Sequence, residues 1–195
     1  MNFVLASQSP ARLATLRRAG LEPTVIVSGV EEDGIEAASP SELATELAVL
    51  KCRTVAPAYP DALVLGCDSV LEFDGQTLGK PADADEARER WYAMRGNAGV
   101  LHTGHCLRLG EDEVVRSAAT RVHFAHVSDE EIDAYVATGE PLAVAGAFTI
   151  EGLGAAFITR IEGDHHNVVG VSVPVLREMV LDLGASWTEL WPPAA

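Results

Sequence analysis

The chain has 195 residues, 48% hydrophobic and 22% charged, the balance of a folded globular protein and not of a disordered one. Its formal net charge is −15, from 14 Lys plus Arg against 29 Asp plus Glu, and so acidic a surface argues against binding DNA or RNA as a polymer. No run approaches the ~18 apolar residues of a membrane span, the opening residues lack the basic segment of a secretory signal, and three cysteines (Cys52, Cys67, Cys106) without CxxC spacing suit a reducing, cytoplasmic setting better than a disulfide framework or a zinc site.

Asn2–Ala6 is a short apolar run that predicts a buried strand. Ser7-Gln8-Ser9 breaks it, Pro10 stands where the first position of a helix favours proline, and Leu13 and Leu16 carry that helix to a stop at Gly20. Pro23–Val27 predicts a second strand, followed by a polar loop over Ser28–Ala38. Ser39-Pro40-Ser41-Glu42 has the spacing of a capping box and opens a long helix through Leu43, Leu47, Leu50 and Val55. Ala62–Cys67 predicts another buried strand, and Val70–Phe73 with Asp74-Gly75 a hairpin. A helix follows over Ala84–Met94, with Asp83 and Glu86 at capping spacing. Val100–Leu109 and Val114–Val127 alternate as paired strands around a turn at Gly110–Asp112. Ser128–Glu131 is a further capping box, opening a helix to Gly139. Gly146–Gly154 is a glycine-rich loop, Ala156–Ile161 a strand and Pro174–Leu183 the last helix. Strands alternating with helices around a long hairpin predict one α/β domain over residues 1–195, on a mixed sheet.

Several short stretches offer chemistry. Ser7–Arg12 sits at a strand-to-helix junction, where free backbone N–H groups, the helix dipole, the hydroxyls of Ser7 and Ser9 and the Arg12 guanidinium suit a phosphate. The same serine-before-proline is equally an ordinary helix cap. Neither GxxxxGK[ST] nor GxGxxG after the first strand is present, so kinase, GTPase and dinucleotide-binding readings lose their main support. Asp68, in Gly66-Cys67-Asp68-Ser69, ends a strongly apolar strand; ligands of open α/β sheets bind beyond such strand ends, although a turn aspartate caps there too. Only two lysines occur among the fourteen basic residues, Lys51 and Lys80, and Gly79 and Pro81 fix the backbone around the second. Glu31, Glu32 and Asp33 form an acidic loop of hard oxygen ligands suited to Mg²⁺ or Mn²⁺, or simply to water. His165 and His166 are adjacent and would point to opposite faces of an extended segment, so they are taken as loop residues. Cys67 is taken as a small buried residue.

In their order along the chain these segments resemble the Maf family. LASQSPAR (5–12) is similar to its LAS-x-SPRR, VSGVEED (27–33) to its acidic loop, ELAVLKC (46–52) to its ELA-x-x-KA, and VLGCDSVLEFDGQTLGKP (64–81) to GADTVV…DG…LGKP. LHTG (101–104), DEEIDAYVATGEP (129–141), AGAFTIEGLGAAFI (145–158) and HNVVGVSVP (166–174) resemble the family's TG, EI-x-x-Y-x-x-TGEP, AGAYGIQG and NVVGLPL. The resemblance implies an elongated mixed sheet flanked by helices, with two lobes around a nucleotide cleft, similar to the inosine-triphosphate pyrophosphatase fold. It implies a nucleoside triphosphate substrate, hydrolysed to the monophosphate and pyrophosphate in the clearance of non-canonical or modified nucleotides, and a possible homodimer. Asp68 is then the acceptor of the attacking water's proton, Glu32 and Asp68 hold a divalent cation (Mg or Mn), and Arg12, Lys51 and Lys80 hold the triphosphate. Ser7, Ser9, Ser69 and Glu151 complete the expected substrate-binding set.

The chain departs from the pattern at several points. Ala11 replaces the first arginine of SPRR, Asn97 and Gly99 stand where many members have Arg and His, and Ala143 and Val144 stand where the pyrimidine-specific branch has Asp-Lys. Ser69 replaces threonine, and Glu151 replaces the glutamine of that branch, as in the branch acting on 7-methyl-GTP. A carboxylate accepts from ring N–H and amino groups, whereas an amide also donates, so the base preference is expected to differ from dTTP and UTP. Two alternatives to the leading reading are hydrolysis to NDP and phosphate, and a nucleotide-binding regulator of cell division with little turnover.

Overall fold

A computed structural model of the chain describes residues 1–32, 34, 35 and 37–192. Asp33 of the acidic loop lies outside them. In chain order the elements are β1 (Asn2–Leu5), α1 (Pro10–Arg18), β2 (Thr24–Val25), α2 (Pro40–Val55), β3 (Ala62–Phe73), β4 (Gln76–Leu78), α3 (Ala84–Met94), β5 (Ala98–Leu109), β6 (Asp112–Phe124), α4 (Asp129–Ala137), β7 (Ile158–Glu162), α5 (His165–Val169) and α6 (Val173–Asp182). All seven strands join one mixed sheet in the order β2-β1-β3-β5-β6-β7, with β4 on the β1 side of β3. β1 runs parallel to β2 and β3; the other pairs are antiparallel.

The sheet is organised around β3, which is a single strand of 12 residues. Two separate strands were expected here, ending at Cys67 and resuming at Val70. The chain does not turn between them because β5 pairs with every residue from Leu63 to Glu72. On its other edge β3 changes partner: β1 covers Ala62–Leu65, β4 covers Leu71–Phe73, and among the described residues no strand covers residues 66–70. The polar run Gly66–Ser69 is therefore continuous with the apolar one but flanks a gap in the sheet.

Side chains of a strand alternate between the two faces. Leu63, Leu65 and Cys67 join Phe3, Leu5, Leu16 and the α6 residues Leu176 and Met179 in one core, while Ala62 and Val64 join Ala48, Cys52 and Val55 of α2 in another on the opposite face. At the far end Leu71 enters a third core with Trp91 of α3, Ile132 and Tyr135 of α4, and Phe124 and Phe148. Trp91 meets Phe124, Tyr135 and Phe157 edge to face, with centroids 5.5–5.7 Å apart, and its indole N–H donates to the Ala147 carbonyl at 2.8 Å. The gap beside residues 66–70 falls between the cores at the two ends.

The helix starts follow their sequence signals. Ser9, Ser39, Asp83, Ser128 and Ser172 each accept a backbone N–H as N-cap. The box at Ser128 is complete, but Glu42 takes the N–H of Ala38 and not that of the cap residue Ser39. Three local expectations change. The second strand shrinks to Thr24–Val25, Gly146–Gly154 contains short 3₁₀ turns, and His165-His166 opens α5 behind the cap Asp164.

Candidate functional site

α2 carries an apolar stripe at Ala44, Leu47, Ala48, Cys52 and Val55, and Lys51 sits within it, only 8% exposed. An ammonium so placed needs partners, since an unpaired buried charge is costly. It has two: Lys51 Nζ donates to Asp68 Oδ1 at 2.5 Å and meets Glu32 Oε1 at 2.7 Å. Asp68 is 8% exposed and lies on the α2 face of β3, while Glu32 reaches in from the half-exposed loop after β2. The helix comes this close because Gly66 on β3 and Gly104 on β5, opposite Asp68 in register, have no side chains. A Cβ on Gly66 would collide with Ala48 O and Cys52, and one on Gly104 with Ala44 and Thr45.

Ser69, one residue on, faces the other way. Its Oγ accepts from Arg12 Nη2 at 3.1 Å and lies 2.9 Å from Thr103 Oγ1, its neighbour across β5. Arg12, 9% exposed, also donates to Ser7 Oγ at 3.1 Å and to the Gly170 carbonyl at 2.7 Å. Gly170 closes α5 at φ 110°, a left-handed conformation that favours glycine. Thr103 donates to the Asn167 carbonyl at 3.2 Å, and the Asn167 amide donates to Leu101 O and Thr120 Oγ1, both at 3.1 Å. Sequence reasoning gave Thr103, Asn167 and Gly170 no role. Their motifs, LHTG and HNVVG, were in view, but only strand register and the folding back of α5 bring them to Ser69 and Arg12. Behind them His105 accepts the Ser172 N–H at 2.8 Å, and burial, then the nearby Arg12 charge, push its pKa down to about 4. Burial likewise pushes the Cys67 thiol up to about 12, so it is no nucleophile at neutral pH.

The β1-side edge of β3 between these two groups has no strand partner among the described residues. Leu65 O accepts from Ala6 N across the β1 edge; alternation directs the N–H and C=O of Cys67 and Ser69 to that same side, beyond the end of β1. A ligand entering there meets Asp68 with Lys51 on one face of β3 and Ser69 with Arg12 on the other.

The remaining candidates are placed differently. Ser9 Oγ accepts the Arg12 N–H as the helix cap. Lys80 is exposed, with its backbone held through the Gly79 carbonyl by Arg90 Nη1 at 2.6 Å and Gly146 N at 3.0 Å. Glu151 pairs with Arg18 Nη1 at 2.6 Å beside a cavity of about 350 Å³, which Thr15, His165, His166 and Trp187 also line. Its loop is tied down by Glu140, whose carboxylate accepts from Tyr135 Oη at 3.1 Å, from Leu153 N and Gly154 N at 3.0 Å, and from Thr149. Burial raises the Glu140 pKa, but those hydrogen bonds together outweigh it and hold the carboxyl below its ordinary range. A hollow of about 470 Å³ at Gly96, Asn97, His123 and His126 shares no residue with either cluster.

The donor set can be tested for a divalent cation. Two carboxylate oxygens from different elements converge on one point, now held by Lys51 Nζ, and both are hard ligands. Among the described residues no three His, Cys, Asp or Glu side chains gather as a metal cage. Mg²⁺ is commonly held by one or two carboxylates plus water and phosphate oxygens, so Glu32 and Asp68 fit such an ion.

Comparison with known proteins adds three findings. The family model described as "Maf-like protein" matches residues 2–183. A protein of Streptomyces coelicolor named nucleoside triphosphate pyrophosphatase is 58% identical over 196 residues, covering 98% of this chain and 95% of that one; one of Trichormus variabilis with the same name is 51% identical over 191 residues, covering 97% of each. Among solved structures, the Ham1 protein of Staphylococcus aureus aligns with 65% of this chain and 73% of its own at 18% identity and a TM-score of 0.45.

Proposed function

The chain belongs to the Maf family, and from that premise we infer that it is a nucleoside triphosphate pyrophosphatase, a hydrolase that releases a nucleoside monophosphate and pyrophosphate. The observation that carries this reading is Asp68: an acid in the interior of a long apolar strand, beside the gap left where β1 ends, with a buried lysine at one carboxylate oxygen. Lys51 engages Oδ1; Oδ2 has no hydrogen-bond partner among the described residues and is left for a water.

In the proposed reaction the triphosphate lies along the open edge of β3. Arg12, presented by Ser7, Ser69 and Gly170, donates to phosphate oxygens, and the N–H of half-buried Ser69 adds a neutral donor. Lys80 is exposed and close in sequence to the end of β4, where it meets the same polyphosphate. Glu32 and Asp68 would hold a divalent cation, which would supply charge neutralisation on the phosphate oxygens. Asp68 takes a proton from water as the water oxygen bonds to the α-phosphorus, the bond from that phosphorus to the α,β-bridging oxygen breaks, and pyrophosphate leaves. Glu151 and Arg18 line a cavity of a size for a nucleobase, where they would act on base preference.

The test is chromatography of the products after incubation with Mg²⁺ or Mn²⁺ and a panel of canonical and modified nucleoside triphosphates. Monophosphate plus pyrophosphate is expected; diphosphate plus phosphate, or no turnover on any member, overturns the reading. No helix among the described residues is long and apolar enough to cross a membrane.

A further inference from the structure

The chain's two lysines are placed for different tasks. Lys80 is exposed and makes no ion pair among the described residues. Lys51 is buried in the apolar stripe of α2, and its ammonium is already committed to both carboxylates of the candidate cation site, Asp68 at 2.5 Å and Glu32 at 2.7 Å. It has little freedom to leave. α2 rests directly on the glycines of β3 and β5, which holds the Lys51 backbone close to the sheet, and the outer bonds of the side chain are the ones free to carry Nζ away.

We propose that Lys51 is the resident counter-cation of the Glu32–Asp68 pair and makes metal loading depend on the nucleotide. The inference rests on the pyrophosphatase reading for the identity of the second ligand. Its electrostatic core does not. A dication bound by the same two oxygens would lie within a few ångströms of a fixed positive charge, and two like charges at that separation in a partly buried site repel strongly. A triphosphate at the open edge reverses the balance: its oxygens give Lys51 a new anionic partner and complete the coordination of the ion. Metal and nucleotide therefore bind with positive coupling, each raising the affinity for the other by the same factor. The device keeps the carboxylates paired, and Asp68 aligned, while no substrate is present.

The experiment is titration with Mn²⁺ alone, reading free Mn²⁺ by its electron paramagnetic resonance signal, on the wild type, Lys51→Met, Lys51→Gln and Lys51→Arg. Both neutral variants are expected to bind Mn²⁺ at least ten-fold more tightly than the wild type without nucleotide, and to show the larger rise in Tm on adding it. Lys51→Arg, which keeps the charge, is expected to stay weak. Two neutral variants keep the test decisive should one fold poorly. A neutral variant that folds yet binds Mn²⁺ no more tightly than the wild type overturns the proposal, as does Lys51→Arg behaving like Lys51→Met. In the wild type, a non-hydrolysable α,β-methylene analogue of an accepted triphosphate is expected to tighten Mn²⁺ binding to the protein beyond the analogue's own affinity, and absence of that coupling overturns the ordered loading. Because the first titration contains no nucleotide, its failure is distinct from failure of the pyrophosphatase reading, which the product analysis decides.

Discussion

Replacing Gly66 by alanine tests whether the packing of α2 is what holds the site together. The added methyl group would meet Cys52 N at 2.7 Å and Cys52 Cβ at 2.8 Å, and would come closer still to Ala48 O. Two of those three atoms are helix backbone, so no side chain can rotate to make room. Overpacking of this kind costs about 1–3 kcal/mol, and the smaller conformational freedom of alanine in the unfolded chain returns about 0.4–1 kcal/mol. A net loss of about 1–2 kcal/mol is expected, which for a chain of this size lowers Tm by roughly 2–8 °C.

The functional effect should exceed the stability effect. The collision is at Ala48 and Cys52, the residues flanking Lys51 on the same helix face, so relief moves Nζ away from Asp68. A misplacement of about 1 Å in a catalytic constellation can cost about 10²-fold, and kcat is expected to fall by that order on the best triphosphate. Thermal unfolding and steady-state kinetics on one preparation measure both. Gly79→Ala is the control for Tm, because its Cβ would meet nothing within 4 Å. Wild-type Tm and kcat in Gly66→Ala would refute the reasoning: the helix could then retreat without carrying Lys51 with it.

Asp68→Asn keeps the shape of the side chain but not its basicity; kcat should drop by about 10²–10⁴-fold while nucleotide binding, measured calorimetrically, survives, and loss of both together would deny Asp68 its proton-accepting role. Glu151→Gln exchanges an acceptor-only carboxylate for an amide and breaks the Arg18 ion pair at 2.6 Å, so the ranking of bases by kcat/KM across the triphosphate panel should change with little change in kcat for the best of them. His105 has its pKa lowered from 6.5 to about 4 in the folded chain. As pH falls through that window the unfolded state binds the proton first, and roughly 3 kcal/mol of stability is lost between pH 6.5 and 4. Carboxylates with lowered pKa, such as Glu140 and Glu113, also lose stability with acid. The measurement is therefore the difference in urea midpoint between pH 7 and pH 4, expected to be smaller in His105→Gln than in the wild type.

How much of this was legible in the sequence depends on the range of the interaction. Caps at Ser39, Asp83 and Ser128 are local, and their signals held to within a residue or so. The mixed α/β sheet followed from alternating strands and helices. The unity of β3 was missed because Gly66 and Asp68 carry the residue types of a turn, and only the unbroken pairing with β5 overrides them. The burial of Lys51 is legible in principle, since residues 44, 48, 51 and 55 share one helical face, but a lysine among apolar neighbours carries no local sign of the partners that make its burial tolerable. Thr103, Asn167 and Gly170 could not be placed without strand register and the path of α5. Glu151 was assigned by resemblance alone, and its partner Arg18, 133 residues away, has no local signal.

The arrangement has one geometric cause. A strand presents successive side chains to opposite faces, so neighbouring residues of β3 can recruit cations from helices on opposite faces of the sheet: Asp68 takes Lys51 from α2, and Ser69 takes Arg12 from α1. Were β3 covered on both edges, those two groups would be separated by a closed sheet and could not act on one molecule. The end of β1 at Leu5, opposite Leu65, and the end of β4 at Leu78, opposite Leu71, leave the edge of β3 unpaired at residues 66–70 among the described residues. An extended polyanion laid along that opening would reach both faces at once. A chain with net charge −15 therefore needs no broad basic surface to hold a triphosphate. A few cations suffice, brought to one point by strand parity and a missing neighbour.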